Sequence, residues 1–414
     1  MSHAAGFTLN PTPARTGPLR LARRVDQIEP FWVMECAKAA DEIARSPACD
    51  PALGGESMIY LNIGEPDFTA PPRVLEAAQR CLAEGRTQYT SATGLPALRE
   101  AIARWYASRW GLDIDPARIV ITAGASAALQ LLCTALVEPG DEILMPDPSY
   151  PCNRHFVTAA GGVPRLLPAG PAQRFQLDAA SVAEAWGPAT RGVMLASPSN
   201  PTGTSIDADE LQRIVEVVRA RGGITIVDEI YLALGYDSAH DRSALALGDD
   251  VLVINSFSKY FGMTGWRLGW LVLPPALVGA VEKLAQNFYI CASAVAQHAA
   301  LACFHPDTLA ECERRREVMR QRRDAIVPQL EALGLAVPVR PDGAFYVWMD
   351  TRRHASNSWD FCFDMMRSAH VALTPGRDFG HAETAHYARL SFASSLPQLE
   401  AAVARLQRVL RPQS

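Results

Sequence analysis

The sequence has no Cys-x-x-Cys pair, no excess of basic residues and no apolar run approaching the roughly 20 residues that a membrane span needs. Its net charge of −5 gives no electrostatic footprint for nucleic acid or for an anionic membrane. Nine scattered cysteines favour reduced thiols over a disulfide framework or a metal site, so we expect no bound metal and a cytoplasmic location. Residues 1–24 include basic side chains but no apolar core, and we therefore expect no secretory signal there.

The order of hydrophobic segments in this chain of 414 residues predicts an α/β fold with two domains. Short strands alternate with helices between residues 119 and 254, which is typical of a mostly parallel central sheet flanked by helices. We expect a smaller α+β domain built from both termini. The expected divisions are an N-terminal arm and helix at 1–57 within the small domain, a large domain at 58–305, and an interdomain helix with the C-terminal small domain at 306–414.

One stretch, residues 251–270, joins an apolar strand to a lysine and a Gly-rich segment that contains an arginine. A lysine just beyond a buried strand loses hydration, which lowers its pKa and makes its amine a nucleophile. Ser256 and Arg267 flank Lys259 with hydrogen-bond donors that suit a phosphate. The pattern indicates a Schiff-base lysine beside a phosphate clamp; on this stretch alone, a surface lysine in a strand-to-loop turn remains the alternative.

Other polar side chains also follow predicted strands directly. In open α/β sheets, ligands bind outside the carboxyl ends of the strands. We therefore expect one site built from five side chains, each just past a strand end: Ser126, Asn200, Asp228, Tyr231 and Lys259.

Eight segments, in order along the chain, resemble the aspartate-aminotransferase superfamily, the class I/II PLP-dependent aminotransferases of fold type I. They are LNIGEPDF, YTSATGLPALREAI, TAGASAAL, DPSYP, SPSNPTG, VDEIY, SFSKYFGMTGWRLGW and YARLSF. The resemblance extends from Asp26 to Leu410. It implies pyridoxal 5′-phosphate (PLP) as cofactor, a large PLP-binding domain, and a homodimer whose two active sites are shared between subunits.

The resemblance also implies catalytic roles for three residues. Lys259 would hold PLP through a Schiff base and then move a proton between the substrate Cα and the cofactor. Asp228 would keep the pyridine nitrogen protonated, which makes the ring an electron sink. Tyr231, together with Asn200, would donate hydrogen bonds to the ring oxygen O3′.

The implied phosphate site combines a helix N-terminus with a hydroxyl and a guanidinium. Its members are Gly124, Ala125, Ser126, Ser256 and Arg267. Tyr89 would reach this phosphate from the neighbouring subunit, and the ring of Tyr150 would stack on the pyridine.

The implied substrate site centres on Arg389, whose bidentate guanidinium would bind the α-carboxylate of the substrate. Gly64 would approach the same carboxylate through its backbone. The other residues expected at the substrate are Asn200, Tyr150 and Tyr346, and further candidates for the side-chain pocket are Phe31, Trp32 and Tyr89.

The expected activity is ping-pong transfer of an amino group from an L-amino acid to a 2-oxo acid such as 2-oxoglutarate or pyruvate. Some relatives that act on acidic substrates carry a lysine at the position of Ser126, and no arginine stands in an obvious place for the distal carboxylate. We therefore expect a broad, neutral or aromatic donor. Two alternatives use the same site residues: a PLP β-lyase (C–S lyase) and a cyclopropane-forming synthase. A ligand sensor with this fold is a more remote alternative, because only about 57 residues precede the first strand.

Overall fold

The computed structural model describes residues 20–410, which form twelve helices and twelve strands together with short 3-10 turns. The helices are α1 Trp32–Ala44, α2 Pro72–Ala83, α3 Pro96–Trp110, α4 Ala125–Leu136, α5 Pro151–Ala160, α6 Ala179–Ala185, α7 Ala208–Ala220, α8 Pro275–Phe288, α9 Ala294–Ala300, α10 Pro306–Ala332, α11 Ser358–Ser368 and α12 Leu396–Leu410. The strands are β1 Ile59–Tyr60, β2 Ile119–Thr122, β3 Glu142–Asp147, β4 Val163–Pro168, β5 Thr190–Ala196, β6 Ile224–Asp228, β7 Leu252–Ser256, β8 Gly269–Val272, β9 Tyr346–Asp350, β10 Val371–Ala372, β11 Thr374–Pro375 and β12 Tyr387–Ser391.

Seven strands form the large sheet, in the order β2-β8-β7-β6-β5-β3-β4. Strand β8 pairs antiparallel with β2 and β7, and the other neighbours pair in parallel. Strands β2, β7 and β8 are buried along their whole length. The prediction of an α/β fold with a mostly parallel sheet is confirmed. The sequence did not predict α5, α6, β4, β8, β10 or β11, and β8 lay in the Gly-rich segment after Lys259.

The parallel register brings the carboxyl ends of β5, β6 and β7 to one edge of the large sheet. Ala196 of β5 pairs with Asp228 of β6, and Asp228 in turn pairs with Ile254 of β7. The loops that carry Asn200, Tyr231 and Lys259 all leave from this edge, so the sheet itself positions these side chains.

A second, three-stranded antiparallel sheet has the order β11-β12-β9. Arg389 occupies the middle of its central strand, where it pairs with Thr374 on one side and Trp348 on the other. Both neighbouring strands therefore fix the backbone of Arg389.

Strand β1 lies outside the large sheet, which bears on the expected division that begins the large domain at residue 58. That division placed the first strand in the large domain, whereas Ile59 pairs with Val371 of β10, close to the end of the chain. The reason is burial: Met58 packs with Met366 and Ala372 in an apolar cluster that also includes Ala40 of α1. We propose that the remaining division holds, with α10 linking the two domains from about residue 306.

Two helical regions bear on the rest of the chain. In the region expected to form an N-terminal arm and helix, the helix is α1, and residues 1–19 of the arm lie outside the described part of the chain. Farther along, α8 and α9 are separate helices, and Ile290 between them adopts a left-handed φ of 66°. The Ser293 side chain accepts a hydrogen bond from the Ala296 backbone N–H, which starts α9 anew. None of the helices within residues 20–410 is both long and apolar enough to cross a membrane.

Candidate active site

Lys259 lies in the turn after β7, and its side chain is partly buried. Its Nζ donates a hydrogen bond to the backbone carbonyl of Gly64 at 2.6 Å. Burial lowers the pKa of Lys259 to about 8, and the positive charges of Arg389 and Arg267 also lower it. About a tenth of this amine is therefore uncharged at pH 7, far more than for an ordinary lysine, and the uncharged form is the nucleophile.

Asp228 ends β6 and is buried. Among residues 20–410, its carboxylate accepts one hydrogen bond, from the backbone N–H of Ile230 at 3.1 Å. Burial raises its pKa to about 7, although the nearby charge of Lys259 opposes the rise. A carboxylate that is buried with so little compensation suits a cationic partner such as a protonated pyridine nitrogen.

Tyr231 follows Asp228 in the same turn and is buried. Its hydroxyl lies 2.8 Å from the hydroxyl of Tyr346, and the two rings meet edge to face. Gly64 packs against this pair so closely that a Cβ there would lie 2.5 Å from the Tyr346 oxygen. Gly64 therefore leaves room for the tyrosine while its carbonyl holds Lys259.

Arg389 is 2% exposed and makes neutral contacts only. Its guanidinium donates to the Asn200 Oδ1 at 2.8 Å and to the Asn62 carbonyl at 2.7 Å. Its Nε has no hydrogen-bond partner, and no carboxylate of residues 20–410 forms an ion pair with it. An enclosed cation without a counter-ion is costly, so this site is built to receive an anion.

The predicted phosphate residues meet at the start of α4. Gly124 caps this helix with a φ of 83°, and a Cβ there would lie 2.7 Å from a terminal nitrogen of Arg267. The Arg267 guanidinium thus lies against the helix N-terminus, beside Ala125 and Ser126, and both Arg267 and Ser126 are exposed. The N-terminus of α4 and the Arg267 guanidinium both contribute positive potential here, which suits a phosphate.

Ser256 lies deeper than the other predicted phosphate residues and is only 3% exposed. Its hydroxyl lies 2.9 Å from the hydroxyl of Ser258 and 3.1 Å from the Leu268 carbonyl. Sequence reasoning left Ser258 out of the site, although it stands beside Lys259.

Tyr150 lies just before α5, with its ring 6.0 Å from that of Phe31 and perpendicular to it. The expected neighbour Trp32 points elsewhere: its ring contacts Trp359, and the guanidinium of Arg377 lies 4.6 Å from its centre. Phe31 therefore lies near Tyr150, whereas Trp32 contacts Trp359 and Arg377.

Tyr89 stands apart from the other predicted site residues. It is 78% exposed and takes part in no hydrogen bond or ring contact found among residues 20–410. The described chain alone does not connect it to the phosphate residues.

Three contributors were missed by sequence reasoning. Asn62 and Thr374 contact Arg389, and the Asp378 carboxylate accepts a hydrogen bond from the Val33 backbone N–H at 2.9 Å, which fixes the start of α1 beside Phe31. Asn62 lies within the LNIGEPDF segment, which offered a signal. The contact of Asp378 spans 345 positions of sequence, so no local pattern announces it.

Comparison with known proteins identifies the family of this chain. The family model described as "Aminotransferase class I and II" matches residues 56–406. The chain belongs to this family. It is 37% identical to the valine–pyruvate aminotransferase of Mycobacterium tuberculosis over 92% of this chain and 96% of that protein. It is 34% identical to the aspartate aminotransferase of Geobacillus stearothermophilus over 95% and 99% of the respective chains.

The solved structures agree with this assignment. An aspartate aminotransferase of Thermus thermophilus with maleate superimposes with a TM-score of 0.87 at 33% identity, over 95% of this chain and 100% of that one. The chain is therefore a PLP-dependent aminotransferase. Its residues fit the cofactor chemically, because they offer an amine of lowered pKa, a carboxylate that lacks a cation, and a cationic helix N-terminus.

The buried Asp228 carboxylate should make the cofactor-free protein less stable as pH rises. Its folded pKa of about 7 lies above the ordinary value of 3.8, so the folded state retains a proton between these values and the free energy of unfolding falls as pH rises through them. We expect cofactor-free Asp228→Asn to be more stable than the wild type at about pH 8, on the order of a few kcal/mol, with the difference vanishing near pH 4.

Urea unfolding followed by circular dichroism at both pH values measures this difference. Asp113→Asn is the matched control, because Asp113 is exposed and forms no ion pair within residues 20–410. An Asp228→Asn protein that is no more stable than the wild type at about pH 8 would contradict the account of this carboxylate.

Proposed function

We propose that this aminotransferase transfers the amino group of an L-amino acid with a neutral or aromatic side chain to a 2-oxo acid such as 2-oxoglutarate or pyruvate, in a ping-pong cycle. The observation that carries the proposal is the enclosed Arg389 guanidinium, which lacks a carboxylate partner. Amino acids and 2-oxo acids share the α-carboxylate that this group would bind. One receptor therefore serves both half-reactions.

The preference for a neutral substrate side chain is supported by Arg154 and Arg377, two arginines near the start of α1, because both already have partners within the chain. Arg154 donates to the Asp378 carbonyl at 3.0 Å and also pairs with Glu29. Arg377 is held between the rings of Trp32 and Trp359, 4.6 and 4.7 Å from their centres. A second substrate carboxylate would find neither guanidinium available within this chain. The name of the relative that acts on valine and pyruvate agrees with a neutral donor.

PLP, when bound, supplies an electron sink that makes the proton on the substrate Cα acidic. Lys259 would form the covalent link to the cofactor and then take that proton on Nζ, a task that its lowered pKa suits. Asp228 would hold the proton on the pyridine nitrogen. Asn200 accepts from Arg389 through Oδ1, which leaves its amide N–H groups to donate to the cofactor ring oxygen beside the Tyr231 hydroxyl.

The remaining assignments follow from position and exposure. We assign the phosphate to Arg267, Ser256 and the start of α4, which comprises Gly124, Ala125 and Ser126. Tyr150 would cover the pyridine ring, and Gly64 and Tyr346 would border the substrate.

We also propose that the protein is a homodimer, in which the exposed Tyr89 reaches the phosphate of its partner subunit. An aromatic side chain that is 78% exposed is better explained by a covering surface than by packing within its own chain. A cytoplasmic location is supported by the nine cysteines, all of which are free thiols in the structure.

The Lys259 assignment predicts that Lys259→Ala loses the visible absorption that PLP acquires on the enzyme, because no other amine takes its place beside Asp228. An absorption scan of purified protein after PLP loading and desalting measures this. Lys283→Ala is the control, since Lys283 is exposed on α8. A Lys259→Ala protein that retained the wild-type spectrum would show that another residue holds the cofactor.

The Arg389 assignment predicts that Arg389→Ala weakens binding of both the amino acid and the 2-oxo acid by about 2–5 kcal/mol, because a buried charged contact is lost. Steady-state KM values for both substrates measure the effect, and Arg389→Lys should recover only part of it, since an ammonium lacks the bidentate fork. Arg340→Ala serves as a surface control, because its side chain is 56% exposed. Unchanged KM values in Arg389→Ala would refute the carboxylate assignment while leaving the cofactor assignment intact.

A further inference from the structure

The hydroxyls of Tyr231 and Tyr346 form an isolated pair in the interior. Their oxygens lie 2.8 Å apart, and neither hydroxyl has another hydrogen-bond partner among residues 20–410. Tyr346 is 1% exposed and Tyr231 is 4% exposed, so both side chains are buried. Burial raises the pKa of both hydroxyls, and both therefore carry their protons at neutral pH.

Two hydroxyls carry two protons, whereas one hydrogen bond between them uses only one. The second proton needs an acceptor that the described protein does not supply, and leaving it without one would be costly. Tyr231 lies three residues after Asp228, at the end of β6, and the function proposed above assigns its proton to the cofactor ring oxygen. Tyr346 must then be the donor within the pair.

The surroundings of Tyr346 are shaped around this oxygen. A Cβ at position 64 would lie 2.5 Å from the Tyr346 hydroxyl oxygen, so a glycine is needed there to leave room for it. The Arg389 guanidinium lies 4.5 Å from the centre of the Tyr346 ring. Tyr346 therefore contacts Arg389 with its ring and Tyr231 with its hydroxyl. A phenylalanine would fill the same space around the ring, and the packing therefore does not by itself account for the hydroxyl.

We propose that Tyr346 is a positioning residue whose hydroxyl donates to the Tyr231 oxygen and thereby strengthens the hydrogen bond that Tyr231 donates to the cofactor ring oxygen. The proposal rests on the function proposed above for Tyr231. Hydrogen bonds in a chain polarise one another, by about 10–30% per bond, so Tyr231 becomes a stronger donor when it also accepts. A stronger donor stabilises negative charge on the ring oxygen, which lowers the pH at which the bound cofactor loses its proton.

The test is a spectrophotometric pH titration of the PLP-loaded enzyme without substrate. Relative to the wild type, Tyr346→Phe should raise the midpoint of the visible transition by about half a pH unit, and Tyr231→Phe should raise it further. Tyr236→Phe is the matched control: it also deletes a phenolic oxygen, one that donates to the Ala344 carbonyl outside the site, and it should leave the midpoint unchanged.

The double variant Tyr231→Phe/Tyr346→Phe separates a relay from an independent effect. Because Tyr346 acts through Tyr231, the double variant should have the midpoint of Tyr231→Phe alone. A Tyr346→Phe midpoint equal to that of the wild type, or a shift that adds fully to that of Tyr231→Phe, would overturn the relay and leave the proposed function standing. An unchanged midpoint in Tyr231→Phe would overturn both the relay and the proposed role of Tyr231. If PLP gave no visible band on the wild-type protein, the cofactor assignment itself would be overturned.

Discussion

A guanidinium enclosed without a carboxylate is the constraint around which the active site is arranged. The charge of Arg389 is balanced only by neutral oxygen atoms, those of Asn62, Asn200 and Thr374. Two neighbouring strands hold its backbone, and we propose that the substrate carboxylate supplies the missing negative charge. Arg389 also orders its neighbours: Asn200 accepts a hydrogen bond from it through Oδ1, which leaves the Asn200 amide N–H groups free for the proposed cofactor, and the Tyr346 ring packs against the guanidinium.

Two adjacent buried carboxyls show how the protein divides structural from chemical tasks. Glu229 accepts hydrogen bonds from the Ser243 hydroxyl and the Ala244 N–H, and burial still raises its pKa to about 8. Asp228, one residue earlier, has a single backbone donor. Glu229 directly follows β6 and accepts from two protein donors, whereas Asp228 has one and keeps room for a further donor. Burial raises the pKa of both carboxyls, so both make the protein less stable as pH rises, and we propose that only Asp228 serves the cofactor.

The part of the site that follows from local sequence was predictable. Asn200, Asp228 and Lys259 each come just after an apolar strand, and parallel strands bring such positions to one edge of a sheet. Arg389 was identified through family resemblance, and the structure adds the reason that it needs an anion.

Contacts between distant segments could not be predicted. The pairing of β1 with β10 depends on packing between residues more than 300 positions apart, and no periodicity records that. The same holds for the hydrogen bond between Tyr231 and Tyr346 and for the stacking of Arg377 on Trp32. Strand β8 was missed because its glycine and tryptophan resemble a loop, although full burial makes it a strand.

We propose that Arg389 binds the α-carboxylate of a neutral amino acid while Lys259 serves the transfer of its amino group. The most direct measurement is a single half-reaction, in which PLP-loaded enzyme is mixed with L-valine, L-phenylalanine or L-aspartate in the absence of an acceptor. We predict loss of the visible band together with release of one equivalent of the matching 2-oxo acid, faster with valine or phenylalanine than with aspartate. A band that persists while pyruvate and ammonia accumulate from a β-substituted amino acid would contradict amino-group transfer, and a fastest reaction with aspartate would contradict the neutral pocket.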